Sequence, residues 1–253
     1  MNPEVRGALA AYLEQRRRLG EPDLVLHGLD RRQALARAAQ TPRRIVSADS
    51  PAPAAIPADL AQVVGDLDHD QLRDAALACT RCRLSDGRQH VVFADGNPEA
   101  RVMVVGEAPG AREDATGLPF VGQAGRLLDL MLASVGLSRR ESVYICNVLK
   151  CRPPGNRDPL PDEIESCAPL LKRQIEVVDP EVLVGVGSFA ARWLVGRKGP
   201  LGKLRGEVHS YQGVPLVVTY HPAALLRNPS LSRLAWADLQ LLCQVIDGAD
   251  SAA

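Results

Sequence analysis

Apolar and polar positions along the chain fall into blocks of two kinds. Val102 to Val105, Val143 to Val148, Val182 to Val186 and Pro215 to Thr219 are short, near-continuous apolar runs bounded by turn formers, the pattern of strands buried on both faces. Between them lie stretches with apolar residues at helical spacing. Gly125 to Val135 carries Leu127, Leu128, Leu130, Met131 and Leu132, and Pro161 to Val178 places Asp162, Glu163 and Glu165 in its first turns, where a helix dipole favours acids. Phe189 to Val195, with Ser188 as the expected cap, and Ser232 to Ile246 complete the series, and Asp68 to Leu77 forms a helix ahead of it. Glu207 to Tyr211 is expected to return on Pro215 to Thr219 as a hairpin around Gln212 and Gly213. Strands alternating with helices predict an α/β domain with a parallel sheet covered on both faces.

The N-terminal region reads differently. Glu4 to Arg18 and Leu29 to Ala39 have helix-forming composition, and Thr41 to Ala58 carries prolines at 42, 51, 53 and 57 among small residues, a linker by composition. The expected organisation is a helical extension with a Pro/Ala-rich linker over residues 1–60 and one compact domain over 61–253. No apolar run approaches the roughly 20 residues that span a bilayer. The first residues also lack a signal peptide's order of basic, apolar and small-residue regions. A cytoplasmic monomer without membrane contact is therefore expected, and disulfides are not expected for the six cysteines. The net charge of zero is uninformative about nucleic acid, but Arg192 to Arg233 holds seven basic residues (192, 197, 198, 203, 205, 227, 233) and one acid, Glu207. That stretch is a candidate phosphate-facing surface.

In a parallel sheet the carboxyl ends of the strands share one edge, where open sheets bind ligands. Gly106 to Gly110, Asn147, Gly185 to Ser188 and His221 all fall there. Gly106, Pro109 and Gly110 let backbone amides approach a ligand closely. Glu107, Glu113 and Asp114 crowd the same loop, and Phe120 follows it. A carboxylate, free amides and an aromatic plate suit a flat polar ring. Cys79 and Cys82 form a CxxC, while Cys151, in KCRPPGNR, and Cys167 stand fifteen residues apart. Four such thiolates suit zinc or a 4Fe-4S cluster, and the wide second pair favours the cluster. Cys146 in an apolar strand and Cys243 on an amphipathic helix read as buried small hydrophobes.

GEAPG, EDATGLPFVG, NVLKCRPPGNR and HPAALLRNPS, with cysteines in the order CxxC, C, C, closely resemble the family 4 uracil-DNA glycosylases, the iron-sulfur branch of that superfamily. The resemblance runs from about Leu77 to the final helix. It implies a three-layer α/β/α sandwich with a four-stranded parallel sheet, and hydrolysis of uracil from single- or double-stranded DNA to start base excision repair. It also implies a 4Fe-4S cluster on Cys79, Cys82, Cys151 and Cys167. By the same resemblance Asn147 reads the N3 and O4 edge of uracil, Phe120 stacks on the ring, and backbone amides from Gly106 to Ala108 assist. His221 donates to O2 as charge grows there. Leu225, Leu226 and Arg227 resemble an intercalation loop, an apolar wedge beside a phosphate contact. First-family glycosylases carry a water-positioning aspartate where this chain has Ala108, so Glu107 is the expected substitute. Glu113 is expected to act with it or to shape the wall that excludes thymine's methyl group. A relative that attaches covalently to DNA through histidine carries a basic insertion with that residue; CRPPGNRDP has none, so turnover is expected. Two rival readings are an iron-sulfur redox protein and a non-catalytic DNA-binding module.

Overall fold

A computed structural model describes residues 64–250; the expected extension over residues 1–60 lies outside them. The first helix lying wholly within the described residues, α1 (His69–Leu77), starts at Asp68, whose carboxylate accepts from Gln71 N while the Gln71 side chain accepts from Asp68 N. This reciprocal cap satisfies two otherwise orphaned donors. The remaining elements are β1 (Asp95–Gly96), β2 (Val102–Gly106), α2 (Ala111–Thr116), α3 (Gln123–Ser134), β3 (Val143–Asn147), α4 (Pro161–Val178) and β4 (Val182–Val186). After them come α5 (Ser188–Val195), β5 (Val208–Tyr211), β6 (Val214–Thr219), α6 (Pro222–Arg227) and α7 (Ser232–Asp250).

The sheet has six strands in the order β1-β3-β2-β4-β6-β5. Its four central strands are parallel, as the apolar runs predict. Two short antiparallel strands extend it to six: β5, the expected hairpin partner of β6, and β1, which pairs with β3. Strand β1 has only two residues, too few to show any alternation.

Side chains alternate along each strand and divide the core in two. Met103, Val105, Tyr144, Cys146, Leu183 and Leu216 face α4 and α5 through Leu171, Ile175, Ala191 and Leu194. Val102, Val104, Val143, Ile145, Val182, Val184 and Val217 face α3 and α7 through Leu128, Leu132, Leu239 and Leu242. The result is the expected three-layer sandwich. A third, smaller cluster packs α1 through Leu72 and Ala76 against Phe93, Leu149, Cys151 and Leu170. Ser188 is not a cap: Gly187, at φ +95°, holds the N-cap position of α5 and Ser188 opens the helix. Among the described residues no helix is long and apolar enough to cross a membrane.

Candidate active site

A cleft of about 650 Å³ opens at the carboxyl ends of the parallel strands. The parallel register sets Gly106 beside Asn147, and the loops that follow are tied together by Val148 N donating to Gly106 O and Leu149 N to Glu107 O. Glu107, Ala108, Phe120, Asn147, His221 and Arg227 all line the cleft. Pocket residues far apart in sequence are thus gathered by topology.

Missing side chains set their spacing. A Cβ on Gly106 would overlap Asn147 Oδ1 and stand 2.6 Å from Phe120 Cζ. A Cβ on Gly187 would lie 3.1 Å from His221 Cβ, and one on Gly125 would overlap the Phe120 carbonyl. Each of the three pocket side chains therefore presses on a glycine. Phe120 itself is left-handed, at φ +53°, and its ring stacks on that of His221 with centroids 5.5 Å apart and planes at 27°.

His221 caps α6 through its ring: Ala223 N donates to Nδ1 at 3.1 Å. A ring nitrogen that accepts carries no proton, so the neutral tautomer holds its proton on Nε2. Burial, reinforced by the charge of Arg227 and opposed by Glu113, pushes the pKa of His221 down to about 4. The imidazole is a neutral donor near neutral pH.

The carboxylates of the loop divide by partner. Burial raises the pKa of Glu107, the charge of Asp158 adds to that, and Arg192 opposes it. Glu113 Oε1 accepts from Val121 N at 3.0 Å and Gly122 N at 3.1 Å, so this carboxylate holds the turn ahead of α3 and fixes the loop around Phe120. It lines the cleft as a braced wall. Asp114 is 2% exposed and accepts from Gln89 N and His90 N, which makes it a staple beneath the loop.

The expected wedge is only partly at the surface. Leu225 is 5% exposed and packs in the core beside α3, while Leu226 is 48% exposed. The reason is helical phase: 225–227 lie on α6, whose successive residues point about 100° apart, so Leu225 turns inward and Leu226 outward. The basic stretch also divides. Arg205 turns inward, donating to both oxygens of buried Asp238 at 2.8 and 3.0 Å and lying over the Tyr220 ring.

Cys79, Cys82, Cys151 and Cys167 come to one region beneath the loop after β3. Cys82, Cys151 and Cys167 share the α1 cluster, and the charge of Cys79 acts on all three. Burial raises the pKa of Cys82 and Cys151 and pushes that of Cys167 up to about 12. Among the described residues no three His, Cys, Asp or Glu side chains stand close enough to grip one ion. Two of the sulfurs accept hydrogen bonds, Cys151 Sγ from Arg88 Nη1 at 3.2 Å and Cys167 Sγ from Lys150 N at 3.4 Å, while the charge of Glu163 acts on Cys82. Lys150 is 1% exposed and its ammonium donates to Asn147 O at 2.7 Å. Donors to two of the four sulfurs and a buried cation nearby suit an anionic cysteinyl cluster.

Several further groups, to which the sequence assigned no role at the site, line it, although Ser188 was placed at a strand end and Asn156 and Arg157 lie in the KCRPPGNR motif. Tyr220, Ser188, Asn156 and Arg157 also line the cleft. Arg157 pairs with fully buried Glu163, Nη1 to Oε2 at 2.9 Å, tying the KCRPPGNR loop to α4. Its place in that motif was the only available hint.

Comparison with known proteins agrees with the geometry. Residues 93–240 match the family model described as Uracil DNA glycosylase superfamily. The chain is 46% identical over 166 residues to a Type-4 uracil-DNA glycosylase of Thermotoga maritima, covering 64% of this chain and 86% of that protein. It is 44% identical over 170 residues to the Type-4 enzyme of Archaeoglobus fulgidus, covering 64% and 85%. A Type-4 enzyme of Sulfurisphaera tokodaii is 40% identical over 179 residues, covering 68% and 81%.

Proposed function

The chain belongs to the uracil DNA glycosylase superfamily, and from that membership and the pocket we infer that it is a uracil-DNA glycosylase acting in DNA repair. Water and the bond between uracil N1 and deoxyribose C1′ are consumed; free uracil and an abasic site are formed. The observation that carries the reading is the grouping of Asn147, Phe120 and His221 against Gly106, Gly125 and Gly187 in one cleft.

Bond breaking leaves cationic character on the sugar and negative charge on the base, so the two ends of the site need opposite complements. His221 Nε2–H is a neutral donor for uracil O2, and with a pKa of about 4 it stays neutral while the base gains charge. Asn147 presents donor and acceptor to the N3 and O4 edge, which matches uracil and, with its orientation fixed, mismatches cytosine. Phe120 supplies the stacking face, and the backbone from Gly106 to Ala108 the close approach. Glu107 stabilises the sugar cation or orients water, while Glu113 serves as wall and brace. Because the target base must leave the stack, exposed Leu226 fills the gap and Arg227 meets phosphate; Leu225 supports them from the core. Cys79, Cys82, Cys151 and Cys167 would hold a 4Fe-4S cluster. The cluster supplies structural order to the loops when bound, supported by the donors to Cys151 and Cys167 and by buried Lys150. The same reading keeps residues 1–60 outside the catalytic domain, in line with a family match that begins at residue 93.

A labelled oligonucleotide with one uracil, treated with protein and then alkali beside thymine and cytosine controls, tests the activity. Cleavage at uracil alone is expected; binding without base release would remove the reading. Glu107→Gln should lower the single-turnover rate on single-stranded substrate by roughly a hundredfold. Full retention would take Glu107 out of the mechanism.

A further inference from the structure

We propose that Arg139 is a positioning residue for the uracil-stacking ring of Phe120, holding it by its backbone carbonyl. The proposal rests on the pocket reading above and extends it to a side chain absent from the cleft lining.

Arg139 lies in the turn between α3 and β3, and its side chain is 16% exposed. Its guanidinium donates from Nη1 to Pro119 O and from Nη2 to Phe120 O, both at 3.0 Å. The same fork is gripped by two carboxylates, Nε donating to Asp129 Oδ1 at 2.8 Å and Nη1 to Asp95 Oδ2 at 3.1 Å. A guanidinium is planar with donors in fixed directions, so two carbonyls and two carboxylates define its position. The carbonyls it holds are consecutive, and the second belongs to a residue at φ +53°.

That conformation costs a residue with a Cβ and persists only where the surroundings impose it. Arg139 imposes it from one side. From the other, Gly125 lies so close that a Cβ there would overlap the Phe120 carbonyl. The short strand β1 acquires a purpose in this arrangement. It carries Asp95, and Gly96 lets it press in: a Cβ on Gly96 would overlap Val143 O and stand 2.9 Å from Arg139 O. The chain of support runs from Asp95 and Asp129 through Arg139 to the Phe120 carbonyl. At its far end the ring lies over Gly106 and against His221. Released from the fork, Phe120 can relax to negative φ, which redirects its Cα–Cβ bond and turns the ring away from the base. Lysine keeps the charge but replaces the fork with a single point, so it cannot hold two carbonyls and two carboxylates in one plane.

The test uses the full chain labelled with 4-fluorophenylalanine. The sequence has three phenylalanines, Phe93, Phe120 and Phe189, so three fluorine resonances are expected; that of Phe120 is assigned by its absence from Phe120→Tyr. In the parent protein, free uracil should shift the Phe120 signal. In Arg139→Lys that signal should move and broaden without ligand and lose its response to uracil, while those of Phe93 and Phe189 stay in place. Inhibition by free uracil should weaken roughly tenfold, and kcat/KM should fall roughly tenfold to a hundredfold. Affinity for an abasic strand should not change. Arg173→Lys is the control: Arg173 holds Leu67 O and Glu176 in the same manner, outside the cleft lining, and should alter none of these readings. Asp129→Asn, which weakens one support of the fork, should reproduce the selective shift at smaller amplitude even if the lysine variant does not fold. An unchanged Phe120 signal and uracil affinity in both variants would overturn the proposal. Collapse of all three signals in Asp129→Asn would also overturn it, because the fork would then be a general staple of the fold. A parent protein whose Phe120 signal ignores uracil would sink the pocket reading itself, and this proposal with it. A responsive parent matched by both variants would sink only the role of Arg139.

Discussion

The strand-end cleft and the cysteine region meet within five residues, Asn147 to Cys151, yet they are built on different principles. The cleft is organised by shape. Gly106, Gly125 and Gly187 bring backbone against Asn147, Phe120 and His221, and Glu113 braces the loop between them. The cysteine region is organised by charge. Arg88 and Lys150 N donate to sulfur, and buried Lys150 pairs with no carboxylate among the described residues. A fully buried ammonium without an anion costs several kcal/mol, and in the cluster reading thiolates at Cys79, Cys82, Cys151 and Cys167 would offset that cost. The first region should therefore respond to volume changes with loss of chemistry, and the second to loss of a ligand with loss of folding.

The largest expected effect falls on the second. Cys151→Ser and Cys167→Ser should lose iron and cooperative thermal unfolding together, because a cofactor site couples binding to folding. His221→Asn, in contrast, should keep iron and fold while losing base release. A Cys151→Ser protein that melts cooperatively near the parent temperature without iron would break the comparison and remove the cluster from it. Next in size is Gly106→Ala. Its Cβ would overlap Asn147 Oδ1, and a misplacement of this order costs roughly a hundredfold in kcat/KM. Overpacking should cost stability only about 1–3 kcal/mol. Iron content should be unchanged, and a Gly106→Ala enzyme with parental activity would show that the cleft is not organised by shape.

How much of this was legible in the sequence follows from the range of each signal. The four parallel strands and their flanking helices are written in local apolar runs, and the strand-end residues follow from topology once the sheet is parallel. Strand β1 was not legible, because two residues carry no period. The inward turn of Leu225 was not legible because a motif read as a loop is a helical turn, where neighbouring residues face opposite ways. Arg205 read as a surface cation because its partner, Asp238, lies 33 residues onward on α7. Arg139 and Lys150 left no trace because both bind backbone carbonyls, which every residue possesses. The glycines at 106, 125 and 187 were visible as turn formers, but what they make room for comes from other strands.

The two leucines of α6 separate packing from contact with DNA in adjacent positions. Leu225→Ala should cost about 2–5 kcal/mol in denaturant unfolding, the range for buried leucines. Leu226→Ala should change stability by no more than about 0.5 kcal/mol, as expected of an exposed site. Its loss should appear as slower uracil release from duplex than from single-stranded DNA, where there is no stack to open. Equal effects of Leu226→Ala on both substrates would remove the wedge.

A pH effect bears on whether the fold of the cleft holds His221 neutral. His221 titrates near 6.5 when unfolded and near 4 in the fold, chiefly through burial. Above pH 6.5 both states hold a neutral ring, so the group contributes no pH dependence there. Between the two values the unfolded state binds the proton that the folded state refuses, and stability rises with pH wherever the unfolded state binds more protons. Stability should therefore fall by about 2 kcal/mol from pH 7 to pH 5 on account of this one group. His221→Asn should remove that part of the slope in urea unfolding measured at the two pH values. The same variant leaves the cysteine region untouched, so any slope that survives belongs to other groups. An identical slope in parent and variant would mean that His221 is not held neutral by the fold, and its part as a neutral donor would go with it.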